Sequence, residues 1–571
     1  MKKNVILVLM LFFALIIFAQ VTKTEQNKEA VSKVKLKAKD FITSTADHSK
    51  FEVLQQDFKQ PEDVTKACLT CHTEAAKEIM KTSHWTWTRK TDKLSGKKGK
   101  TVAIGKANVI NNFCIGIQSN EARCTSCHIG YGWKDKNFDF TDESKVDCLV
   151  CHEQTGTYKK FPAGAGYPVG GNIGSLANKT EVVFKGNKKT YYKPDYSKVA
   201  QSVGTPTRKN CGTCHFFGGG GNAIKHGDLD KSLTKPKKDI DVHMGVNGAN
   251  MSCVDCHIAD KHDIKGQLYT VSVENKDRIN CEKCHTNKPH TGKMFFENYP
   301  ERTSEKYKNH LLKDSTPNIN FISKLLDKHT SKIACQTCHI PKFATTYKTK
   351  MWWDWSKAGK KVNGKGLVKK DKEGYLTYHF KKGEFKMEKN VKPEYYWFDG
   401  EVGHIMSGDK IDPSKQPIEM NTINGACGAK NAKIWPFKVM RGKQPYDIEN
   451  NLIITPKLFG KKGSGAYWAE FDWQKSAAAG MKYVNLPFSG KIGWVETKMY
   501  WPITHMVKDK KDALSCGQCH SRNGRLEGLE ACWIPGRDNN KTYDFLGLLL
   551  IILSFLGVGV HGFLRVITSK K

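Results

Sequence analysis

Two short runs decide how this chain is read: Cys124-Thr125-Ser126-Cys127-His128 and, a little further on, Cys148-Leu149-Val150-Cys151-His152. Working outward, the same Cys-x-x-Cys-His pattern recurs at Cys68/Cys71/His72, Cys211/Cys214/His215, Cys253/Cys256/His257, Cys281/Cys284/His285, Cys335/Cys338/His339 and Cys516/Cys519/His520. Two residues between the thiols match the separation of the two vinyl groups of a porphyrin. The histidine that follows is set beneath the ring, where its imidazole ligates iron. A zinc site pairs two Cys-x-x-Cys units or adds spaced histidines, and needs no histidine directly after every pair. The sequence therefore predicts eight covalently bound haem c groups. Three cysteines stand outside the motifs, Cys114, Cys427 and Cys532. For the last two the sequence does not choose between a buried thiol and a functional one.

Low-spin electron-transfer haems need a sixth ligand, and histidine is the expected donor. His84, His226, His243, His262, His290, His329 and His505 lie near motifs in suitable positions, with His48, His310, His379 and His404 in reserve. The fold expected is a multihaem cytochrome c: short α-helices and irregular loops wrapped around stacked haems, little β, and one C-terminal transmembrane helix. Only 39% of residues are hydrophobic and the mean hydropathy is -0.54, lean for a conventional core of 571 residues. Porphyrins would fill that interior.

Lys2 and Lys3, the apolar run Val5 to Phe18 and the small residue Ala19 read as an export signal over residues 1–20. A charged lead-in follows over 21–60, then a seven-haem cluster over 61–345. A haem-free segment over 346–510, rich in Lys, Gly, Trp and Tyr, reads as a layer covering haem edges. The eighth-haem segment spans 511–540. The apolar stretch inside 545–566 is long enough to cross a hydrocarbon layer of about 30 Å at about 1.5 Å per residue. Arg565, Lys570 and Lys571 put the tail, 567–571, in the cytoplasm by the positive-inside rule. The expected location is the periplasmic face of a bacterial inner membrane. An exported protein does not meet nucleic acid, so the formal net charge of +35 is read as a field for small anions and acidic redox partners. The alternative is a lysine-rich solvated surface. The Gly-rich stretch Phe217 to Gly221 lacks the Lys-Ser/Thr ending of a phosphate loop and reads as tight packing against a haem.

Several runs carry a resemblance. They are Asp47-His48-Ser49-Lys50-Phe51, NNFCIGIQSNEARCTSCH (Asn111 to His128), DYSKVAQSVG (Asp195 to Gly204), NCGTCHFFGGGGNAIKHGDLD (Asn210 to Asp230) and KIWPFKVMRGKQPYD (Lys433 to Asp447). With the number and order of the motifs, they make the chain similar to the octahaem tetrathionate reductase family. The resemblance implies that the haem of Cys124/Cys127/His128 differs from the others, with a lysine amine as sixth ligand. It implies Lys198 as that ligand, Asp195 beside it and Cys114 as a nearby free thiol. An amine ligates only when neutral, so burial and the metal must depress its pKa.

The expected activity is reduction of tetrathionate, or of nitrite and hydroxylamine, with a small sulfur or nitrogen oxyanion as substrate. The competing expectation is a plain electron carrier linking a quinol-oxidising membrane subunit to periplasmic partners. A third, an oxidase like the hydroxylamine oxidoreductases, needs a cross-linked tyrosine that no residue here can be assigned. In the membrane stretch His561 and Arg565 lie four apart, near Gly557 and Gly562. Ionisable groups in such helices are functional candidates, so His561 is expected either to ligate a haem b shared with a membrane cytochrome b or to pack in a helix interface. A homo-oligomer is left open.

Overall fold

Each motif lies on a short helical turn, since one turn brings residues i and i+3 to the same face. In this computed structural model the described residues are 46–569, apart from 93, 95–96, 98, 186–187, 267–278, 292–320 and 531. The expected signal peptide, most of the lead-in and His310 therefore lie outside the described residues.

Helix α1, Pro61–Leu69, opens with a Gln60/Asp63 capping box and Pro61 in its first turn, and ends inside the first motif, just past Cys68. Helix α2 is Tyr196–Gln201, with Asp195 as its N-cap. Helix α3, Arg208–His215, is started by a Thr207/Asn210 capping box and holds the fourth motif. Helices α4, Phe321–His329, and α5, Cys335–His339, bring His329 and the seventh motif. The histidine amides of His72, His152, His257, His285 and His520 donate to the carbonyl of the first cysteine of their motifs, at 2.8 to 3.1 Å. The second motif departs from this. Its helical turn Glu121–Cys124 tightens to a 3-10 turn at Thr125–Cys127, and the His128 amide donates to Thr125 instead, at 2.9 Å. His128 itself is extended (φ -77°, ψ 145°).

The expectation of little β does not hold between residues 349 and 502. Nine strands form one sheet there: β1 Thr349–Asp354, β2 Val368–Lys370, β3 Leu376–His379, β4 Gly383–Glu388, β5 Glu394–Phe398, β6 Ile418–Glu419, β7 Lys433–Asp447, β8 Leu452–Ile453 and β9 Ile492–Pro502. The path runs β2-β3-β4-β1-β7-β9-β6, with β5 and β8 also on β7. Strand β7 is its spine, antiparallel to β9 from Phe437 opposite Pro502 to Asp447 opposite Ile492, and parallel to β1. It is buried almost throughout, so its apolar and polar residues do not alternate, and it lacks the period-two signal of a one-sided strand.

The main core joins this sheet to the haem-binding region: Ile110, Phe113 and Ile115 pack with Trp353, Met440, Met499 and Trp501. Residues 46 to 571 belong to one compact unit. Helix α6, Lys541–Thr568, is capped by Asn540, is exposed, and is long and apolar enough to cross a membrane. It begins before and ends after the expected 545–566. Cys427 and Cys532 form a disulfide that fastens the segment before α6 to the sheet region.

Candidate functional site

Two metal–nitrogen bonds of about 2.0–2.1 Å each, plus the ring radii, set coaxial imidazoles about 6 Å apart between centroids. The motif histidines meet that test. Ring centroids are 6.3 Å apart for His72 and His48, 6.5 Å for His152 and His262, and 6.2 Å for His215 and His84. They are 6.3 Å apart for His257 and His505, 5.9 Å for His285 and His243, and 6.1 Å for His520 and His329. His290 stands beside His339. The Nδ1–H groups of His152, His257 and His520 donate to the carbonyls of Gly204, Lys265 and Pro535 at 2.9 to 3.0 Å. That commits one nitrogen and leaves Nε2 for a metal. The residues fit haem iron at seven motifs.

The thiols of the motifs are unequally covered. Cys71 and Cys516 are exposed, whereas the other motif cysteines are half-buried. Cys71 lies in the turn past the end of α1, with Thr70 Oγ1 3.8 Å from its sulfur. The two exposed thiols belong to the first and eighth motifs. Exposure does not remove Cys71 from the attachment set, because a thioether needs reach to the vinyl group and not burial.

The second motif is the exception among the histidines. His128 is fully buried and ringed by Trp85, Trp87, Trp133, Phe138 and Phe140, with centroids 4.8 to 6.4 Å away. Its Nε2 lies 2.6 Å from the Trp85 carbonyl oxygen. Its Nδ1 is buried against Gly130, where an added Cβ would meet the imidazole at 2.9 to 3.0 Å and the Trp85 ring at 2.7 Å. In this arrangement Nε2 faces the Trp85 carbonyl and Nδ1 has no hydrogen-bond partner among the described residues. Burial first, then the neighbouring lysines, push its pKa down to about 3, although the Trp85 carbonyl pulls the other way.

Beside Cys124 and Cys127 lies Cys114, on a loop bonded to β7. The Cys114 amide donates to Asn111 Oδ1 at 2.8 Å, Asn112 Nδ2 to the Met440 carbonyl at 2.6 Å, and Gln444 Nε2 to the Asn111 carbonyl at 3.0 Å. Ile115 sits at φ +119°, a conformation that costs a β-branched residue about 1–3 kcal/mol. The loop is thus held against its own preference. Lysines converge on it. Lys350 is 5% exposed, its Nζ 3.3 Å from the Trp353 ring and 4.0 Å from that of Phe385. Burial and then Lys382 hold its pKa well below the usual lysine range, while Cys114 opposes them. Lys382 is lowered by burial too, again opposed by Cys114.

Lys225 leaves the Gly-rich loop with Nζ 4.6 Å from the Trp501 ring and 5.5 Å from that of Phe113. Burial and Lys106 lower its pKa to about 7, and Cys127 raises it. Lys438, wholly buried, donates to the carbonyls of Ile224 and Lys225 and to Thr349 Oγ1, at 2.6 to 3.1 Å. It clamps the turn that presents Lys225.

The structure treats the other expected residues unevenly. Lys198 and Asp195 are exposed, and Asp195 Oδ1 accepts the Lys198 amide at 3.0 Å as a helix cap. Helix α2 is tied to the segment around His48, through Ser197 Oγ to the Gln56 carbonyl and Gln201 Nε2 to the Leu54 carbonyl. Among the described residues no hydrogen bond or ion pair joins Lys198 to the second motif. His226 meets no motif histidine; its ring lies 5.2 Å from Trp501. His48, held in reserve on the sequence, is the partner of His72. His379 stacks on Phe380 and His404 lies on a short strand Val402–His404. Lys225, Lys350, Lys382 and Lys438 were missed, because nothing in a lysine-rich sequence separates four inward lysines from the surface ones.

Paired thiols, imidazoles facing one another at about 6 Å and short helices define a multihaem c-type cytochrome. The comparisons agree and narrow the class. A model described as "Cytochrome c bacterial" matches residues 350–523, and one described as "Cytochrome c554 and c-prime" matches 67–153. An uncharacterised protein of Archaeoglobus fulgidus is 25% identical over 255 residues, 38% of this chain and 80% of that one. The crystal structure of octaheme cytochrome c from Shewanella oneidensis superposes with a TM-score of 0.69 at 43% identity, covering 85% of this chain and 95% of that one. The chain belongs to the octahaem cytochromes c.

Proposed function

We propose that this cytochrome carries eight haem c groups, seven bis-imidazole and one amine-ligated, and works as a terminal reductase of a small sulfur or nitrogen oxo-compound. Tetrathionate, nitrite and hydroxylamine are the candidates. The observation that carries the reading is the second motif: His128 is withdrawn into an aromatic cage while lysines and Cys114 gather beside the paired thiols. Haem bound there supplies one-electron chemistry and an iron coordination position. The chain's own residues do the rest. Lys225, with its pKa near 7, offers a neutral amine that Lys198, exposed on α2, does not. Lys350 and Lys382 would donate N–H hydrogen bonds to a bound anion, and Cys114 would stand within reach of a sulfur substrate.

In this reading the chain is exported and anchored by α6 at the periplasmic face, where it exchanges electrons with a quinol-oxidising subunit or membrane cytochrome b. His561 would hold a shared haem b. The alternative is a carrier without a substrate, which the seven paired sites and the membrane-length helix would serve equally.

The test is one preparation, assayed with tetrathionate, nitrite and hydroxylamine under a single reductant, for the native chain and for Lys225→Ala and Lys198→Ala. Lys225→Ala should convert one haem from low to high spin and cut turnover by about a hundredfold, the scale of losing one electrostatic contact at a reacting centre. Lys198→Ala should change neither. No turnover with any of the three, and no spectral change in either variant, would leave the carrier reading.

A further inference from the structure

The paired histidines differ in what stands behind them. The rings within the motifs lean on backbone carbonyls: His152 on Gly204, His257 on Lys265 and His520 on Pro535. Three of the rings opposite lean on carboxylates. His262 Nδ1–H donates to Glu78 Oε2 at 2.8 Å, His505 to Asp228 Oδ2 at 3.2 Å and His290 to Asp327 Oδ1 at 2.9 Å. Among the described residues no carboxylate hydrogen bond is found behind His48, His84 or His329. His243 stands 3.9 Å from Asp241, too far for a hydrogen bond.

The carboxylates are themselves held. Asp228 is 1% exposed and accepts the amides of Thr504 and His505 at 2.9 and 3.0 Å. Asp327 accepts the His290 amide at 2.9 Å.

The order of the sites follows from which motif thiols adjoin. Cys338 of the seventh lies by Cys516 and Cys519 of the eighth, Cys335 by Cys281 of the sixth, and Cys284 by Cys256 of the fifth. Cys253 lies by Cys211 of the fourth. From the fourth, Cys214 reaches Cys127 of the second, and Cys211 reaches Cys151 of the third. Cys148 of the third lies by Cys68 of the first. Read as 8-7-6-5-4-3-1 with the second beside the fourth, the carboxylate-backed sites are the seventh, fifth and third. They alternate with the others without exception.

We propose that Glu78, Asp228 and Asp327 are positioning residues that lower the reduction potentials of alternate haem sites. A carboxylate that holds the Nδ1 proton makes the imidazole a stronger donor and favours ferric over ferrous iron; a carbonyl does so more weakly. The result is a row in which neighbouring sites never share one potential, with the fourth, beside the second motif, on the high side. The inference rests on the axial pairs and not on the choice of substrate.

The test is a potentiometric titration of the full-length protein in detergent, followed by electron paramagnetic resonance, for Glu78→Gln, Asp327→Asn and Glu78→Asp. Each amide variant should raise one midpoint potential by about 59 mV, a tenfold change in that site's one-electron equilibrium, and leave the others in place. Glu78→Asp should restore part of the shift. Glu78 and Asp327 are chosen because each lies nearer the surface than Asp228. Unmoved potentials in both amide variants would overturn the proposal. So would conversion of the site to high spin, since that would make the carboxylate a structural support alone. Absence of oxyanion turnover would leave these outcomes unaffected.

Discussion

At the scale of single residues, His128 is the one motif histidine that is fully buried. Its backbone is fixed from behind by Lys160, whose Nζ donates to the His128 carbonyl and, at 3.3 Å, to that of Gly130. The same amine lies 2.9 Å from Asp147 Oδ2, with the two side chains 3% and 0% exposed. Tyr131 and Tyr158 donate to that carboxylate at 2.8 and 2.9 Å. Breaking such a pair strands a buried charge and costs about 3–5 kcal/mol. Lys160→Met should lose stability on that scale in chemical denaturation and perturb only the second-motif haem spectrum. A loss below about 1 kcal/mol would mean that Asp147 is supported by the tyrosines alone. The distal histidines were legible as a group but not as pairs. His48 precedes its partner by a short stretch, while His505 lies far along the chain from His257, and pairing through space leaves no trace in spacing. Cys427 and Cys532, 105 residues apart, were illegible for the same reason.

Among the elements, the motif-bearing turns were plain in the sequence and the sheet was not. Strand β7 is one of the runs that carry the resemblance, KIWPFKVMRGKQPYD, yet its central place removes the alternation by which a strand is recognised. The sheet is also more than a cover, since β1 and β7 deliver Lys350 and Lys438 to the site. The far end of β7 depends on Asp447, wholly buried, which accepts the amides of Glu449, Asn450 and Ser489 and the Ser489 hydroxyl at 2.7 to 3.1 Å. Burial works to raise its pKa, but these donors prevail and hold it at about 2. A depressed carboxylate stabilises the fold above its unfolded pKa of about 3.9 and loses that contribution as pH falls through the folded value. Unfolding midpoints should therefore drop between about pH 4 and pH 2. Asp447→Asn should be less stable at neutral pH, by about 1–3 kcal/mol from the weakened hydrogen bonds, and should show a smaller drop in that window. An unchanged acid profile in Asp447→Asn would assign the acid loss elsewhere.

For the whole molecule, the motif sites form a row, the second motif lies beside the fourth within it, and α6 follows the eighth at one end. His520 of the eighth motif donates to the Pro535 carbonyl, a few residues before the Asn540 cap of α6. Arg537 fixes that linker through the carbonyls of Leu526, Leu529 and Cys532, and the disulfide fixes it to the sheet region. The eighth site is thereby held within a short chain length of the membrane-length helix, and the second motif lies deep in the fold. A net charge of +35 gives the chain a field that draws anions. The count of motifs and the apolar tail revealed this plan in outline. The exceptional site was legible only by resemblance, which pointed to the motif that stands apart and to an exposed lysine.

Near-infrared magnetic circular dichroism of the fully oxidised protein separates bis-imidazole from amine ligation at haem iron. The expected spectrum is seven bis-imidazole haems and one with an amine ligand, the last lost in Lys225→Ala. Eight equivalent bis-imidazole haems would contradict the account at its centre.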